Sequence, residues 1–259
     1  MYCDNLPKLD GCIFDTHAHY DDSAFDEDRA ALLNEIHSYG VCGIINCAYN
    51  KASVESTLAL TCEYPFFYAA IGLHPEEDEP LDIDFFRQKA QDPRCVAIGE
   101  IGLDYHWDSV PRDIQKENFT AQIALANELN LPVIVHDREA HSDTLEILKK
   151  TNPKGVMHCF SGSAETAKEV VKMGMYLGFG GALTFKNARR AVEAAEVTPI
   201  ERILLETDAP YMSPVPLRGK RCNSAMIYYV AERIAQIKCM TIQDVLSATR
   251  NNVKELFGV

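Results

Sequence analysis

Short apolar runs rich in β-branched residues recur along the whole chain, and after each one the apolar positions change to a helical spacing. The runs CIFDTH (12–17), GVCGIINC (40–47), FFYAAIGL (66–73), CVAIGE (95–100), PVIVH (132–136), GVMHC (155–159), MYLGFG (175–180) and RILLET (202–207) read as strands. The alternation of strand and helix signals a parallel sheet covered by helices. Helices are predicted over 26–39, 51–63, 82–91, 112–129, 141–151, 163–173, 187–196, 223–238 and 241–257. The last opens on Thr241 with Asp244 three residues on, a capping pair, and carries Ile242, Val245, Leu246 and Val253 at helical spacing. Eight strand signals over 259 residues predict a (β/α)8 TIM barrel, with 1–259 as a single domain. A doubly wound sheet is the rival. Against it, no G-x-G-x-x-G or G-x-x-x-x-G-K-[ST] follows the first run, and polar residues gather at the ends of nearly all the strands rather than at one crossover point.

Composition excludes more than it assigns. With 47% hydrophobic and 24% charged residues the chain is an ordinary folded protein, neither disordered nor fibrous. Its 25 basic and 38 acidic residues give a formal charge of −13, which argues against a wide nucleic-acid footprint and leaves room for a local basic patch. Nine dispersed cysteines, an odd number with no C-x-x-C pair, exclude zinc-finger and thioredoxin spacings and fit a reducing compartment. The opening MYCDNLPKLDG has no secretory pattern and no apolar stretch is long enough to span a membrane, so a cytoplasmic location is expected, or a nuclear one in a eukaryote.

The chemistry sits where strands end. Asp15-Thr16-His17-Ala18-His19 closes the first strand, and His17 and His19, two residues apart, project from one face. Glu100 ends strand four, His136 strand five and His158 strand six, while Asp208 follows strand eight. In a barrel these ends converge, bringing four imidazoles and two carboxylates together. That set suits zinc, manganese, iron or cobalt better than magnesium, which prefers oxygen. Six ligands exceed what one open catalytic zinc needs and suit two divalent ions bridged by a carboxylate. A single strand-end His or Glu is as often a structural group as a ligand, but that reading would have to hold at all six positions.

The stretches FDTHAHYDD (14–22), PVIVHDREA (132–140) and LLETDAP (204–210) resemble the hallmarks of the TatD family of metal-dependent deoxyribonucleases, which belong to the amidohydrolase-like barrels. IGLHP (71–75), IGEIGLDY (98–105), HCFSGS (158–163) and RGKR (218–221) extend the resemblance over the whole chain. It implies that His17, His19, Glu100 and Asp208 hold one metal and that Glu100 bridges to a second held by His136 and His158. It also implies hydrolysis of DNA phosphodiesters, often as a 3′-to-5′ exonuclease on single-stranded ends, with Mg2+ as the working ion and Zn2+ or Mn2+ also accommodated. Three positions depart from the family pattern: Tyr20 after H-x-H, Ser142 in place of an acid, and Cys222 inserted after RGKR.

Asp208 is the expected general base and Glu100 shares the catalytic centre with it. Glu206 shares a face with Asp208 and Asp15 with His17, which makes both either partners that orient imidazoles or buried hydrogen-bonding groups of the core. Substrate contacts are expected from Arg138, from Arg218, Lys220 and Arg221 in the RGKR loop, and from Ser161 and His74. Tyr105 and Trp107 read as aromatic packing under a loop or as a base-stacking surface. The expected partner is therefore DNA, with no membrane and no obligate protein partner. The rival readings are a barrel hydrolase of small esters, amides or phosphoesters, and an interaction protein that kept the barrel, which the six intact ligands disfavour.

Overall fold

The computed structural model describes residues 3, 6, 7, 12–107 and 109–259. Eight parallel strands run in sequence order around one sheet: β1 (Ile13–Ala18), β2 (Val41–Cys47), β3 (Phe67–Ile71), β4 (Cys95–Asp104), β5 (Val133–Arg138), β6 (Gly155–Met157), β7 (Tyr176–Phe179) and β8 (Ile203–Leu205). Around them lie α1 (Arg29–Tyr39), α2 (Lys51–Glu63), α3 (Ile83–Lys89), α4 (Arg112–Leu129), α5 (His141–Thr151), α6 (Ala164–Lys172), α7 (Arg189–Val197), α8 (Ile227–Lys238) and α9 (Ile242–Phe257). This is the (β/α)8 barrel that the pattern predicts. Among the described residues no helix is long and apolar enough to cross a membrane.

The local signals behave as their chemistry requires. Asn50 caps α2, its side chain accepting from the Ser53 amide while the Ser53 hydroxyl accepts from the Asn50 amide. Thr241 caps α9 by accepting from the Asp244 amide at 3.1 Å, the pairing its spacing predicts. The ring closes just beyond β8, where the Asp208 amide donates to the His17 carbonyl at 2.9 Å and the His19 amide to the Ala209 carbonyl at 2.7 Å. Closure thus falls on the residues that carry the candidate chemistry.

Side-chain alternation stacks the interior in layers. Ile134, Val156 and Leu204 lie two residues before His136, His158 and Glu206, and they cluster with Val253 and Phe257 of α9 into an apolar layer. Two differences from the sequence reading matter. Strand four does not end at Glu100 but runs on to Asp104, with an irregularity in its pairing to β5 between Ile98 and Ile101. Cys12 and Cys42, expected as separate thiols, are joined with their Cα atoms 5.5 Å apart, because Ile13 pairs with Val41 and the register sets their neighbours side by side.

Candidate metal centre

At the carboxyl end of the barrel, β1 delivers His17, and His19 follows one residue past its end. Both side chains are buried, and their Nε2 atoms lie 3.1 Å apart. Glu100 Oε2 is 3.2 Å from His17 Nε2 and 3.7 Å from His19 Nε2, and Asp208 Oδ1 stands 3.7 and 3.4 Å from the same two atoms. A cation held tetrahedrally at about 2.0–2.1 Å spaces its ligands by about 3.3 Å, so these four atoms outline a cation cage. The other oxygen, Glu100 Oε1, lies 2.8 Å from His136 Nδ1 and 2.6 Å from His158 Nε2, and those nitrogens are 3.3 Å apart. One carboxylate therefore faces two imidazole pairs, one through each oxygen. The six expected residues meet, and the donor set fits divalent metal.

The electrostatics follow from this crowding. Burial disfavours a charged Glu100, but the imidazoles of His158, His17 and His74 and the bond from His136 prevail and hold its carboxyl well below the usual range. Burial likewise opposes charge on Asp208, yet the bond from His19 and the nearby imidazoles keep its carboxyl low, so it is ionised at neutral pH. Burial lowers the affinity of His19 and His136 for a proton, but Asp208 and Glu100 outweigh it at His19, as Asp104 and Glu100 do at His136, lifting the two to about 9 and about 10.

Tautomers are set from outside the cluster. His19 Nδ1 sits 2.8 Å from the Cys47 carbonyl, which only accepts, so Nδ1 keeps its proton and Nε2 is the nitrogen that faces the cluster and would give up its proton to hold a cation. Asp104 performs the same task for His136. Its Oδ2 is 2.9 Å from Nε2, and its Oδ1 is fixed by the amides of His106 and Trp107 at 2.8 and 3.1 Å. Sequence reasoning missed Asp104 because it ended the strand at Glu100. Carrying the alternation on by four residues would have placed it on the Glu100 face. Asp104→Asn keeps the oxygen that accepts from the two amides but offers His136 an ambiguous partner. Cation affinity at the Glu100–His136–His158 cluster is expected to fall about 10- to 100-fold by calorimetric titration. An unchanged affinity would remove the orienting role.

Neither Asp15 nor Glu206 hydrogen-bonds an imidazole, so both follow the reading of buried hydrogen-bonding groups. Asp15 touches no imidazole: it accepts from the amides of His17 and Thr207 and from the hydroxyls of Thr207 and Ser224, tying β1 to the segment after β8. Glu206 accepts from the Cys159 amide and lies 3.9 Å from His158 Nδ1, close to that ring but beyond hydrogen-bond length. Burial pushes its carboxyl up to about 8. Gly178 makes room for it, since a Cβ there would collide with the carboxylate.

His19, His74, Glu100, His136, His158 and Asp208 line a cavity of about 700 Å3 together with Arg138. His74 Nδ1 accepts from the Glu76 amide at 3.3 Å, so the neutral ring carries its proton on Nε2, which stands 3.6 Å from Glu100 Oε1. Arg218, Lys220, Arg221 and Ser161 lie outside this lining. Arg221 is engaged by Asp28 at 2.6 Å and packs over Phe25, and Arg218 covers the Phe185 ring at 4.0 Å. Tyr105 takes the packing role, bonded to Asp143 under Arg112, whereas Trp107 stands exposed on the cavity. Of the three departures, Tyr20 is fully buried and accepts from the Ser224 amide, and Cys222 is also buried.

A (β/α)8 barrel with imidazoles and carboxylates converging at its mouth defines a metal-dependent hydrolase. The family described as TatD related DNase matches residues 14–258, and the chain belongs to that family. The chain is 43% identical over 253 residues to the metal-dependent hydrolase YabD of Bacillus subtilis, covering 95% of this chain and 99% of that protein. It is 32% identical over 260 residues to the 3′-5′ ssDNA/RNA exonuclease TatD of Escherichia fergusonii, covering 95% and 99%. Among solved structures, the TatD homologue YJJV of Escherichia coli K12 superposes with a TM-score of 0.89 at 31% identity, covering 95% of this chain and 98% of that one.

Proposed function

We propose that this hydrolase cleaves phosphodiester bonds of DNA from single-stranded 3′ ends, using two divalent cations, Mg2+ in the working enzyme, with Mn2+ and Zn2+ also suited by the imidazole nitrogens. The observation that carries the reading is Glu100, whose two oxygens face separate imidazole pairs beneath a cavity that also holds Arg138. The similarity to a TatD protein named as a 3′-5′ ssDNA/RNA exonuclease supports the substrate class. His17, His19, Glu100 and Asp208 would hold one cation, and Glu100, His136 and His158 the other. When bound, the pair would supply a water of lowered pKa and neutralise charge on the phosphate.

The protein's own groups do the rest. Asp208 is ionised, faces the cavity with its side chain 22% exposed, and is the base that accepts the water's proton. His74 presents its Nε2 proton to the same space as a donor to a phosphate oxygen. Arg138 is exposed beside the cavity, where its planar fork pairs with the non-bridging oxygens. For Arg218 and Lys220, exposed beyond the cavity, the proposed contact is with phosphates further along the strand, while Ser161 stands exposed in the segment between β6 and α6.

The test is a 3′-labelled single-stranded oligonucleotide assayed with Mg2+ against a panel of small esters, amides and phosphoesters. Stepwise shortening from the labelled end is expected, and Asp208→Asn should lower its turnover about 10²- to 10⁴-fold. Hydrolysis of the small substrates with no attack on the oligonucleotide would replace this reading by the small-molecule one. Preference for an RNA strand would redirect it to ribonucleotide ends.

A further inference from the structure

Among the described residues five large apolar side chains are exposed: Trp107, Ile114, Tyr211, Met212 and Val215. Three of them, Trp107, Tyr211 and Met212, line the cavity above the metal centre. Trp107 follows β4 and Tyr211 follows β8, and these strands stand four apart in an eight-stranded ring, so the two aromatic residues rise from opposite sides of the mouth. Exposed apolar surface gathered over a charged floor fits a ligand divided the same way, anionic at one end and flat and apolar at the other.

Trp107 is held for such a contact. The residue is 52% exposed, with His106 edge-on to its ring at 4.7 Å and the Arg138 guanidinium carbon 5.6 Å from the ring centre. Its backbone amide is bonded to Asp104 Oδ1, the carboxylate that also holds His136. The Trp107 backbone is therefore anchored beside the candidate metal cluster through one carboxylate, which limits the ordering needed when a ligand arrives. Tyr211 is fixed across the mouth by donating its hydroxyl proton to Asp22 Oδ2 at 2.8 Å.

We propose that this cavity is a nucleotide subsite in which Trp107 stacks the nucleobase of the strand-end residue whose phosphate lies over Glu100, with Tyr211 as the facing wall. The inference rests on the phosphodiesterase reading above and adds the element that recognises the base. Arg138 is the one Lys or Arg among the described residues that line the cavity, which Asp22, Glu76, Glu77 and Tyr49 also line. A second phosphate would meet these carboxylates, so the subsite takes one nucleotide bearing a single phosphate. Every base has a face that stacks, so recognition is tolerant of base identity.

Trp107 is the single tryptophan of the chain, so indole emission excited beyond the tyrosine band reports this residue alone. The Mg2+-loaded enzyme is titrated with 2′-deoxyguanosine 5′-phosphate and, in parallel, with 2-deoxyribose 5-phosphate, which keeps the phosphate and lacks the base. Saturable quenching is expected with the nucleotide and none with the sugar phosphate, although both slow oligonucleotide hydrolysis. In Trp107→Ala the inhibition constant of the nucleotide should rise about tenfold or more while that of the sugar phosphate stays, and Trp107→Phe should keep most of the affinity. Absence of quenching by the nucleotide, or nucleotide affinity in Trp107→Ala equal to that of the unsubstituted enzyme, overturns the stacking and leaves the nuclease reading standing. If the oligonucleotide is not hydrolysed, the nuclease reading fails instead, and the emission titration still decides whether a base rests on Trp107.

Discussion

Glu100→Ala is expected to lower turnover by about 10³-fold or more and to leave the protein with at most one bound cation per chain. The carboxylate belongs to both clusters, 3.2 Å from His17 Nε2 through one oxygen and 2.6 Å from His158 Nε2 through the other. Removing it takes negative charge from both proposed cation positions at once, in a site where the side chain is only 5% exposed and water screens poorly. Loss of a single preorganised electrostatic partner in an active site costs about 10²- to 10³-fold, and this residue serves two. The barrel should survive, because the Glu100 amide bond to the Ala48 carbonyl at 3.0 Å involves the backbone alone. Glu100→Gln is the control for shape, since it keeps the volume and one oxygen but removes the charge. Metal content by mass spectrometry and single-turnover rates read the two effects separately. Two cations retained with turnover within tenfold of the unsubstituted enzyme would sink the bridging role.

The largest expected effect on stability comes from Asp15→Ala. The Asp15 carboxylate is fully buried and accepts from four donors, the amides of His17 and Thr207 and the hydroxyls of Thr207 and Ser224. Alanine strands those donors where no solvent reaches, at about 1–3 kcal/mol for each that finds no substitute. The hydroxyls can turn elsewhere and the amides cannot, so a loss of about 3–5 kcal/mol is expected, lowering the melting temperature by about 6–20 °C. Asp15→Asn keeps an acceptor for the amides and should cost less. The variant also separates out a pH term. Burial raises the Asp15 carboxyl to about 6, its four hydrogen bonds opposing, against about 3.9 in the unfolded chain. Because the folded value lies above the unfolded one, the contribution of this group to stability is greatest below pH about 4 and declines as pH rises towards about 6. Denaturant titrations of the unsubstituted protein and Asp15→Asn should therefore diverge in slope across that window. Parallel curves, or an Asp15→Ala protein as stable as its parent, would show that the carboxylate does not tie β1 to the end of β8.

Much of the fold is legible in the chain because its helices are locally specified. The helices at 51–63, 112–129 and 141–151 begin and end where the apolar spacing sets them. Capping by Asn50, Ser163 and Thr241 uses side chains within three residues of the amides they meet. The start of α1 shifts from 26 to Arg29 because Ser23–Phe25 forms a separate 3-10 turn, capped locally by Asp22. The candidate ligands were visible for a related reason: parallel strands place their last residues on one end of the barrel, so a polar residue ending an apolar run marks that end.

What was not legible depends on pairs distant in sequence. The RGKR loop reads as four positions of basic and small residues, and nothing in it announces that Arg221 will be engaged by Asp28, 193 positions away. Cys12 and Cys42 become neighbours only through the β1–β2 register. Tyr20, a departure from the family pattern at the mouth, is accounted for by Ser224, 204 positions later, and so belongs to the core.

The sequence by itself determined the barrel, the six converging candidate ligands and the family, because periodicity and strand-end chemistry are properties of short segments. Only the tertiary structure decided which nitrogen of His19 and of His136 faces the centre, through the Cys47 carbonyl and Asp104, and that Glu100 addresses two clusters with separate oxygens. It also decided that Asp15 serves the backbone rather than an imidazole, and that Trp107 and Tyr211 stand across the same mouth. Tautomer, bridging and cavity shape all depend on distances of about 3 Å between residues on different strands, where a hydrogen bond or a cation cage either closes or does not.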